Sequence, residues 1–479
     1  MEKEDKRTEW GRKCSQGCLI PQRVVVALMG FLALMFAYTN RVSISHVITE
    51  LVVPKSRVSV NGTSTGVCPG EAKVTSTGEA DYSKRYKWSE ELQGFILGSF
   101  YIGYLITHLP GGILADRFGA KWVLGICMLI SAICTLATPF AITVGHQWGL
   151  VAVRIIMGLA QGPLFPSVTT LLSHWVPKKE RGTLSTICYS GVTAGTVASN
   201  LGSGFMLYYM HWSACLYIFG AGTILWVLLF LLICYSNPSK HPCIRLKEKA
   251  YLEEEIPMKN DKPPIPWKKM LLNVPLIAAI LGQIGHDWGY FVMITCLPKF
   301  MADVLGLSIR SNGIMTSLPF IAMFISSICC GILSDWLVRT GKMSLNLERK
   351  LFNFIGALGP GALTVIASYS GCNDKVVVVV FVLAMFTMGG YYAGQKLSPM
   401  DMSPTFSGTL NAICNGLGSL AGLAAPPIVG LMTPQATESQ WHGVFWLGLV
   451  ILVLSGIIFW IWGSADVQPY DPNYQSKQA

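Results

Sequence analysis

The chain has 479 residues, of which 52% are hydrophobic and only 13% are charged. Soluble domains usually carry about 25% charged residues, and several apolar stretches here exceed the ~20 residues that cross a bilayer, which excludes a water-soluble enzyme and indicates a membrane protein. The formal net charge of +10 is compatible with nucleic-acid binding, but the placement of the basic residues indicates membrane topology instead.

Twelve apolar stretches are long enough to be membrane-spanning helices. They cover residues 24–49, 92–114, 122–143, 148–170, 184–206, 213–235, 274–298, 312–334, 352–370, 376–396, 406–431 and 442–463. The sequence therefore predicts an all-α membrane protein of twelve transmembrane helices in two six-helix halves. The predicted organisation is a cytoplasmic tail (1–23), an N-terminal bundle (24–235) with a long outside loop (50–91), a cytoplasmic linker (236–272), a C-terminal bundle (273–463) and a cytoplasmic tail (464–479).

The distribution of basic residues predicts the orientation in the membrane. Lysine and arginine mark cytoplasmic loops, and most of the 36 such residues fall in cytoplasmic segments if the N-terminus is inside. Both termini are therefore predicted to be cytoplasmic. A glycosylation sequon at Asn61 lies in the first outside loop, as this orientation requires. The first twenty residues are polar and charged, which predicts no cleavable signal peptide.

Most of the 14 cysteines fall within predicted spans, where cysteine usually packs as a small apolar residue. No CxxC pair with metal-ligand spacing occurs, so no metal site is predicted. Cys68 and Cys372 are the cysteines placed in outside loops. The two residues could form a disulfide or remain free thiols. The second alternative is considered because a bridge between the halves would restrict their relative motion.

A sequence repeat relates the two halves. One span opens at Gln93 and ends in GlyIleLeuAla before Asp116; a second opens at Asn312, 219 positions later, and ends in GlyIleLeuSer before Asp335. Parallel internal repeats of this size are typical of transporters that bind substrate between their halves near the midplane. The repeat therefore predicts a transporter.

The first copy of the repeat continues into a loop signature. Its residues are Gly112, Asp116, Arg117, Gly119 and Lys121. The pattern resembles the loop signature of the major facilitator superfamily, which implies the fold of that superfamily. Small residues let two helices approach closely, and an aspartate accepts hydrogen bonds from a helix N-terminus; we predict a gating and structural role. In the second copy a tryptophan follows Asp335, so the arginine is absent there.

Two arginines lie inside predicted spans, Arg41 in the first and Arg154 in the fourth. A charge at bilayer depth costs at least ~2.5 kcal/mol and usually marks a functional site. Both residues are predicted at similar depth, and a guanidinium suits carboxylate or phosphate, so they are candidate substrate-binding residues for an anion. A packing role for Arg154 is the alternative, because Gly158 and Gly162 follow it at helix-packing spacing.

His286 and Asp287 lie near the middle of the seventh span, and Asp287 is the acidic residue predicted deepest in the membrane. The aspartate is a candidate ion-coupling residue, since it can bind sodium or carry a proton; a static pair with an arginine or histidine is equally open. His286 is a third candidate substrate-binding residue, because histidine changes charge near neutral pH. His46 and His108 are predicted to be ordinary hydrogen-bonding residues.

Nearly the whole chain resembles the anion/phosphate cotransporter family, which includes sialin, the vesicular glutamate and nucleotide transporters and the sodium–phosphate cotransporters. The resemblance rests on Asn40-Arg41-Val42, on residues 94–104, 109–112 and 158–181, and on two stretches, 286–291 and 398–408, that look most like insect phosphate cotransporters. The family implies that an anion passes through a central cavity, with arginines that match Arg41 and Arg154 among its key residues.

Four positions depart from particular members of that family. The proton-coupled vesicular members carry a glutamate where this chain has Gln161, and sialin carries a second acid where it has Met157. The vesicular glutamate carriers have a histidine where this chain has Leu97 and an arginine where it has His286. Loss of the fourth-helix carboxylates argues against the family's proton relay and gives more weight to Asp287 or to sodium.

The sequence thus favours a sodium-driven symporter of inorganic phosphate or a small organic anion, with no cofactor beyond co-transported Na⁺ or H⁺. Its predicted partners are a small anion and the bilayer, with no nucleic acid and no obligatory protein partner, and the plasma membrane is the expected location. A proton-coupled or potential-driven organic-anion carrier of lysosomes or vesicles, and a non-transporting membrane sensor with the same fold, are the alternatives. The sequence shows no nucleophile–base pair of the kind that would indicate an enzyme.

Overall fold

A computed structural model describes residues 20–52, 86–177, 181–255, 265–307, 309–371, 373–403, 405–472 and 474. Within these ranges the regular structure is helical, apart from one isolated bridge that joins Val52 to Tyr86 at the two ends of the predicted outside loop. The predicted all-α class is confirmed.

The described helices follow the chain in two sets. The N-terminal set is α1 (Gln22–Leu51), α2 (Glu90–Phe118), α3 (Ala120–Gln161), α4 (Leu164–Trp175), α5 (Arg181–Tyr209) and α6 (Trp212–Ile233). Two short helices lie between the sets, α7 (Leu246–Glu255) and α8 (Trp267–Leu271). The C-terminal set is α9 (Val274–Asp303), α10 (Ile309–Arg339), α11 (Leu345–Ser368), α12 (Asp374–Met388), α13 (Gly390–Ala393), α14 (Ser398–Met402), α15 (Ser407–Met432) and α16 (Glu438–Trp462).

Eight described helical stretches are long and apolar enough to cross a membrane. One of them, Ala120–Leu172, has 53 residues, which is enough for two crossings. The chain turns within it at His146, whose φ of 47° and ψ of −134° are not helical. The helices α2, α5 and α9 have 29, 29 and 30 residues and are long enough to cross as well. These stretches together account for twelve crossings.

Polar residues at the helix starts explain where several spans begin. The side chains of Ser89, Asn273, Ser344 and Asn373 each accept a hydrogen bond from a backbone N–H in the first turn of α2, α9, α11 and α12, and such caps satisfy N–H groups that the helix leaves unpaired. Between α2 and α3 the chain turns at Gly119, whose φ of 88° is one that L side chains rarely adopt.

The tenth span differs from its prediction. The sequence predicts one helix over 376–396, whereas α12 ends at Met388 and the chain continues through α13, a 3₁₀ turn over Gln395–Leu397, and α14. The break has a local cause, since Gly389 and Gly390 adjoin each other and Gly394 adopts a ψ of −110°. The span therefore runs on to α14, and residues predicted at its end lie inside the bundle.

The repeat found in the sequence occupies equivalent places in the fold. Its helices α2 and α10 begin at Glu90 and Ile309, again 219 positions apart. Each of them packs against the opposite half, α2 against α15 and α10 against α5, while α1 meets α9 at the centre. Two matching seams thus hold the halves together.

The seams are tight at the end of the molecule where α2 begins, which we call the Glu90 end. A Cβ at Gly94 would clash with the backbone of Pro426, and a Cβ at Gly313 would lie 2.6 Å from the carbonyl oxygen of Asn200. The Asn200 amide also donates to the carbonyl of Thr316 across the second seam, at 3.2 Å. Glycine is therefore required for the backbones to meet, and the halves are closed against each other here.

An ion pair also bridges the Glu90 end. Lys299, near the end of α9, pairs with Glu90 at the start of α2 and donates to the Gln93 side-chain oxygen at 2.6 Å. Both charged side chains are largely buried, so this link between the halves is screened little by salt.

Candidate functional site

Arg41 lies in the middle of α1, buried among aromatic rings. Its guanidinium carbon is 4.3 to 5.8 Å from the ring centroids of Tyr38, Phe100, Tyr101 and Tyr104. Attraction to ring faces stabilises a cation where water is scarce, but rings do not neutralise its charge. We call this group the aromatic cage. It keeps a positive charge inside the helical bundle without a counter-ion from the rings.

Gln161, at the end of α3, is the polar partner of Arg41. Its side-chain oxygen accepts a hydrogen bond from Arg41 Nη2 at 3.0 Å, while its amide donates to Ser131 Oγ at 2.8 Å and to the Ala37 carbonyl at 3.3 Å. Among the described residues no carboxylate lies within ion-pair distance of Arg41. Gln161 thus orients the arginine without cancelling its charge.

Arg154 has a different environment. Its Nη1 donates to the Arg41 carbonyl at 3.2 Å and its Nη2 to the Leu97 carbonyl at 3.1 Å, so both ends of the guanidinium bind backbone. Below it, a Cβ at Gly158 would clash with the carbonyl oxygen of Phe100, and one at Gly162 with Thr107. Arg154 and the two glycines together hold α3 against α1 and α2.

Asp287 lies on the α9 face that meets α15. Its Oδ1 accepts a hydrogen bond from Gln283 Nε2 at 2.8 Å, and its Oδ2 occupies the space that a side chain at Gly418 would need. One turn further along α15, Gly422 lies against the Tyr101 ring of the aromatic cage. The predicted ion-coupling residue and the predicted anion-binding residue therefore face one central region from opposite halves.

His286 points elsewhere, into the C-terminal half. Its ring stacks on Tyr391 of α13 with centroids 3.5 Å apart and planes 10° apart, and the Tyr391 hydroxyl donates to Gln283. The ring is buried, and its Nδ1 has no hydrogen-bond partner in the described protein. Substrate contact by His286 stays a prediction.

Lys396 is a functional candidate that the sequence did not reveal. It lies in the 3₁₀ turn of the broken tenth span, is half-buried, and donates through Nζ to Asn415 Oδ1 on α15 at 2.6 Å. Asn415 lies one helical turn from Gly418, against which Asp287 packs. The residue falls on the predicted boundary of the span, where a lysine is expected to reach the membrane surface, and this placement hid it.

Three buried polar atoms in and beside the aromatic cage have no hydrogen-bond partner in the described protein. They are Arg41 Nε, the Tyr101 hydroxyl and His108 Nε2. A buried polar atom left unpaired costs roughly 1–3 kcal/mol, so such a cluster indicates a place built for water or for a polar ligand. Tyr101 also contacts Phe291 of the other half, with ring centroids 4.7 Å apart, which places the cluster on the seam.

The remaining histidines have local roles. His46 Nε2 lies 3.1 Å from Asn200 Oδ1, which extends the second seam into α1. His108 Nδ1 lies 3.0 Å from the Gly162 carbonyl and so adds to the contact between α2 and the end of α3.

The loop signature lies at the end of the molecule opposite the Glu90 end. Arg117 is exposed there, while Lys121 is buried with its Nζ 4.0 Å from the Tyr235 ring and its backbone N–H donating to Ser236 Oγ at 3.2 Å. At Gly112 a Cβ would meet only Pro166, at 3.8 Å. The side chains of Asp116 and Asp335 lie outside the described residues, so the gating role stays a prediction.

A buried charge cluster, also missed from the sequence, lies beside the second copy of the signature. Arg349 of α11 donates to Ser334 of α10 at 3.2 Å, to Glu348 at 2.8 Å and to Asp401 of α14 at 2.9 Å. It holds three helices of the C-terminal half together and anchors the C-terminal end of the broken tenth span. Asn61, Cys68 and Cys372 lie outside the described residues.

Comparison with known proteins identifies relatives along almost the entire chain. The family described as Major Facilitator Superfamily matches residues 26–426. A Drosophila ananassae protein named "Putative inorganic phosphate cotransporter" is 34% identical, with 94% of each chain covered. Human "Sialin" is 32% identical over 94% of this chain and 91% of its own. Mouse "Sodium-dependent phosphate transport protein 3" is 31% identical, over 96% and 97%.

Solved structures share the fold at low sequence identity. A bacterial homologue of the human lysosomal transporter Spinster superposes with a TM-score of 0.68 at 15% identity, over 93% of this chain and 97% of that one. A D-xylose–proton symporter gives a TM-score of 0.66 at 15% identity, over 93% and 99%. These likenesses confirm the predicted twelve-helix fold.

Proposed function

The chain belongs to the major facilitator superfamily and, within it, to the anion/phosphate cotransporter family, and we propose that it is a symporter of inorganic phosphate or a small organic anion. One observation carries this proposal. Arg41 holds a positive charge inside the membrane, caged by rings and bonded to the neutral Gln161, with no carboxylate paired to it among the described residues. An uncompensated buried cation is costly unless an anion binds it.

Substrate moves, in this proposal, by alternating access between the halves. The Glu90 end is the outside end, and the contacts at Gly94 and Gly313 and the ion pair of Lys299 with Glu90 form the outer gate in its closed state. Both termini are then cytoplasmic, and the loop signature faces the cytoplasm. We assign Arg154 a positioning role, because its fork holds the Arg41 backbone rather than a free space.

Sodium is the proposed driving ion, with Asp287 as the coupling residue. Gln161 cannot carry a proton, so the relay that the proton-coupled relatives have in the fourth span is missing here. Asp287 packs on the face of α15 that also contacts Tyr101 of the aromatic cage. A relative is named as a sodium-dependent phosphate transport protein, which supports the same cation. A proton-coupled carrier is the second candidate, because a carboxylate in this position can also hold a proton. We place the protein in the plasma membrane.

The test is uptake by the purified full-length protein in proteoliposomes. Labelled phosphate, glutamate and sialic acid are offered separately, with a sodium gradient, a pH gradient or a membrane potential imposed in turn. We expect phosphate uptake driven by sodium, and Arg41→Ala to reduce it by about 100-fold or more, as loss of a bidentate charge-assisted contact predicts. Exposed Lys375 provides the matched control, Lys375→Ala, which should match wild type.

Different failures have different meanings. Uptake driven by protons and indifferent to sodium would replace the sodium proposal with the second candidate. Wild-type uptake by the Arg41→Ala protein would remove Arg41 from the site. No uptake of any of the three anions, by a protein that stays folded, would favour the membrane-sensor alternative.

A further inference from the structure

Lys396 brings a second positive charge to the centre of the molecule, from the C-terminal half. Lys396 donates to Asn415 of α15, and Gly422, two turns along the same face of α15, lies against the Tyr101 ring of the aromatic cage. The two cations therefore border one region from opposite sides of the seam. They differ in their surroundings, because the Lys396 partner Asn415 lies one helical turn from Gly418, against which Asp287 packs, whereas Arg41 bonds to the neutral Gln161.

The break in the tenth span explains how a lysine reaches this place. Gly394 approaches the backbone of Asn353, where a Cβ would lie 2.6 Å from the Asn353 nitrogen, and Gln395 donates to the Ala279 carbonyl of α9 at 2.6 Å. These contacts fix the turn against two neighbouring helices. Lys396 follows directly and points to α15, where Asn415 takes one of its three N–H donors.

Lys396, Asp287 and Asn415 are all partly accessible, whereas Gln283 and His286 next to them are buried. A half-buried charge in the interior of a bundle lies at the wall of a space that water or substrate reaches. Two of the lysine's donors are left for a ligand, and a lysine ammonium binds phosphate well as a point charge.

We propose that Lys396 is the second substrate-binding cation, and that the substrate is a compact anion with two negative charges, such as hydrogen phosphate, bound between Arg41 and Lys396. This rests on the proposed function. A singly charged anion is satisfied by Arg41 alone and leaves Lys396 with Asp287. A dianion has a charge for each half, draws Lys396 away from Asp287, and holds the halves together.

The exchange of partners also explains coupling. In this proposal Lys396, held on Asn415 one helical turn from the contact of Asp287 with α15, partly compensates the carboxylate before the anion binds. Once the anion takes Lys396, Asp287 is left as a bare carboxylate with only the Gln283 hydrogen bond, and a co-transported cation restores the balance. Substrate binding therefore creates the cation site, which ties the two in one transport cycle.

The test compares Lys396→Gln with Lys396→Arg in proteoliposomes, with inorganic phosphate as the probe. We expect Lys396→Gln to raise the phosphate KM by at least about tenfold, as loss of one charge-assisted contact predicts, and Lys396→Arg to stay within about threefold. Exposed Lys375→Gln in the same half is the matched control and should leave the KM unchanged. Phosphate should raise the melting temperature of the wild-type protein but not of Lys396→Gln.

A double variant separates substrate binding from simple charge balance. If Lys396 only compensates Asp287, then Asp287→Asn with Lys396→Gln restores the wild-type phosphate KM, and this outcome overturns the proposal. Under the proposal the double variant keeps the raised KM. A normal KM in Lys396→Gln, in a protein whose uptake still requires Arg41, also overturns it and leaves the proposed function standing.

Discussion

At the centre of the molecule the two halves handle positive charge differently. The N-terminal half holds Arg41 in the aromatic cage with a neutral amide for a partner. The C-terminal half holds Lys396 on Asn415, one helical turn from the place where Asp287 packs against α15. An arginine without a carboxylate partner attracts an anion at all times, whereas a lysine close to a carboxylate is drawn to both. Under the proposals above, both halves therefore contribute a substrate-binding cation, and the C-terminal half alone also contributes the coupling carboxylate.

The largest effect is expected when the N-terminal half is given a carboxylate beside Arg41. Gln161→Glu places an acid 3.0 Å from Arg41 Nη2, where it competes with the substrate anion. At pH 7.5 we expect phosphate uptake to fall about 30-fold, equivalent to ~2 kcal/mol. Uptake should recover toward pH 5.5, because protonation removes the competing charge. The measurement is initial uptake rate against pH.

Gln161→Leu is the control for the lost amide, since it changes the hydrogen bonds without adding a charge. It should lower uptake at every pH to the same degree. A Gln161→Glu protein with the wild-type pH profile would mean that the acid does not meet Arg41 during transport.

Removal of Arg154, the second arginine of the N-terminal half, distinguishes a positioning role from a role in substrate binding. Arg154→Ala deletes two bonds to backbone carbonyls, each worth about 1.5–3 kcal/mol when the donor is charged. We expect a lower melting temperature and about tenfold less uptake, while the phosphate KM of the folded protein stays within about threefold. A KM raised as far as that of Arg41→Ala would instead place Arg154 in contact with substrate.

Neutralising Asp287 in the C-terminal half tests its proposed ion-coupling role. In Asp287→Asn we expect the dependence of uptake on the driving ion to be lost, with the rate reduced about fivefold, because the compensating cation no longer has a site. Counterflow, which needs no net driving force, should persist. Asp374→Asn, at the start of α12, is the matched control and should retain the wild-type ion dependence. An unchanged sodium and pH response in Asp287→Asn would end the coupling assignment.

The smallest effect is expected at the Glu90 end, away from both charges. Lys299→Gln removes the ion pair that bridges α9 and α2, and we expect a two- to fivefold shift toward the state that is open there, or roughly 0.5–1 kcal/mol. The measurement is labelling from outside of a cysteine introduced at Leu97, against the same cysteine in the wild-type background. Equal labelling of the two proteins would show that the pair does not hold this end shut.

Much of this architecture could be predicted from the sequence, because membrane spans follow from length and apolarity alone. Arg41 and Asp287 could be selected as candidates for a related reason, since a charge within an apolar run is rare. The sequence left two roles open for Arg154, because a guanidinium within a span bonds equally well to an anion or to backbone carbonyls. In the structure both ends of its fork bond to backbone, at Arg41 and at Leu97, which supports the proposed positioning role.

Two parts of the site were beyond sequence reasoning for physical reasons. The rings of the aromatic cage, such as Phe100 and Tyr104, look like ordinary packing residues in an apolar helix, and their arrangement around one cation depends on how α1 and α2 cross. Lys396 lies where hydropathy falls at the end of a span, and such a lysine normally reaches the surface. The break at Gly394 keeps the lysine inside the helical bundle, and a glycine within a span does not by itself predict a break in the helix.

That break has an evolutionary consequence. The position of Lys396 depends on the 3₁₀ turn over Gln395–Leu397, which Gln395 fixes against α9, while Asp401 anchors the end of the span separately through Arg349. A substitution at Lys396 itself changes the reach and charge of one side chain and leaves these anchoring contacts in place. Under the proposed role of Lys396, descendants of such a protein change their cargo through a handful of mutations, and we expect lineages that diverge in substrate to differ first in this turn.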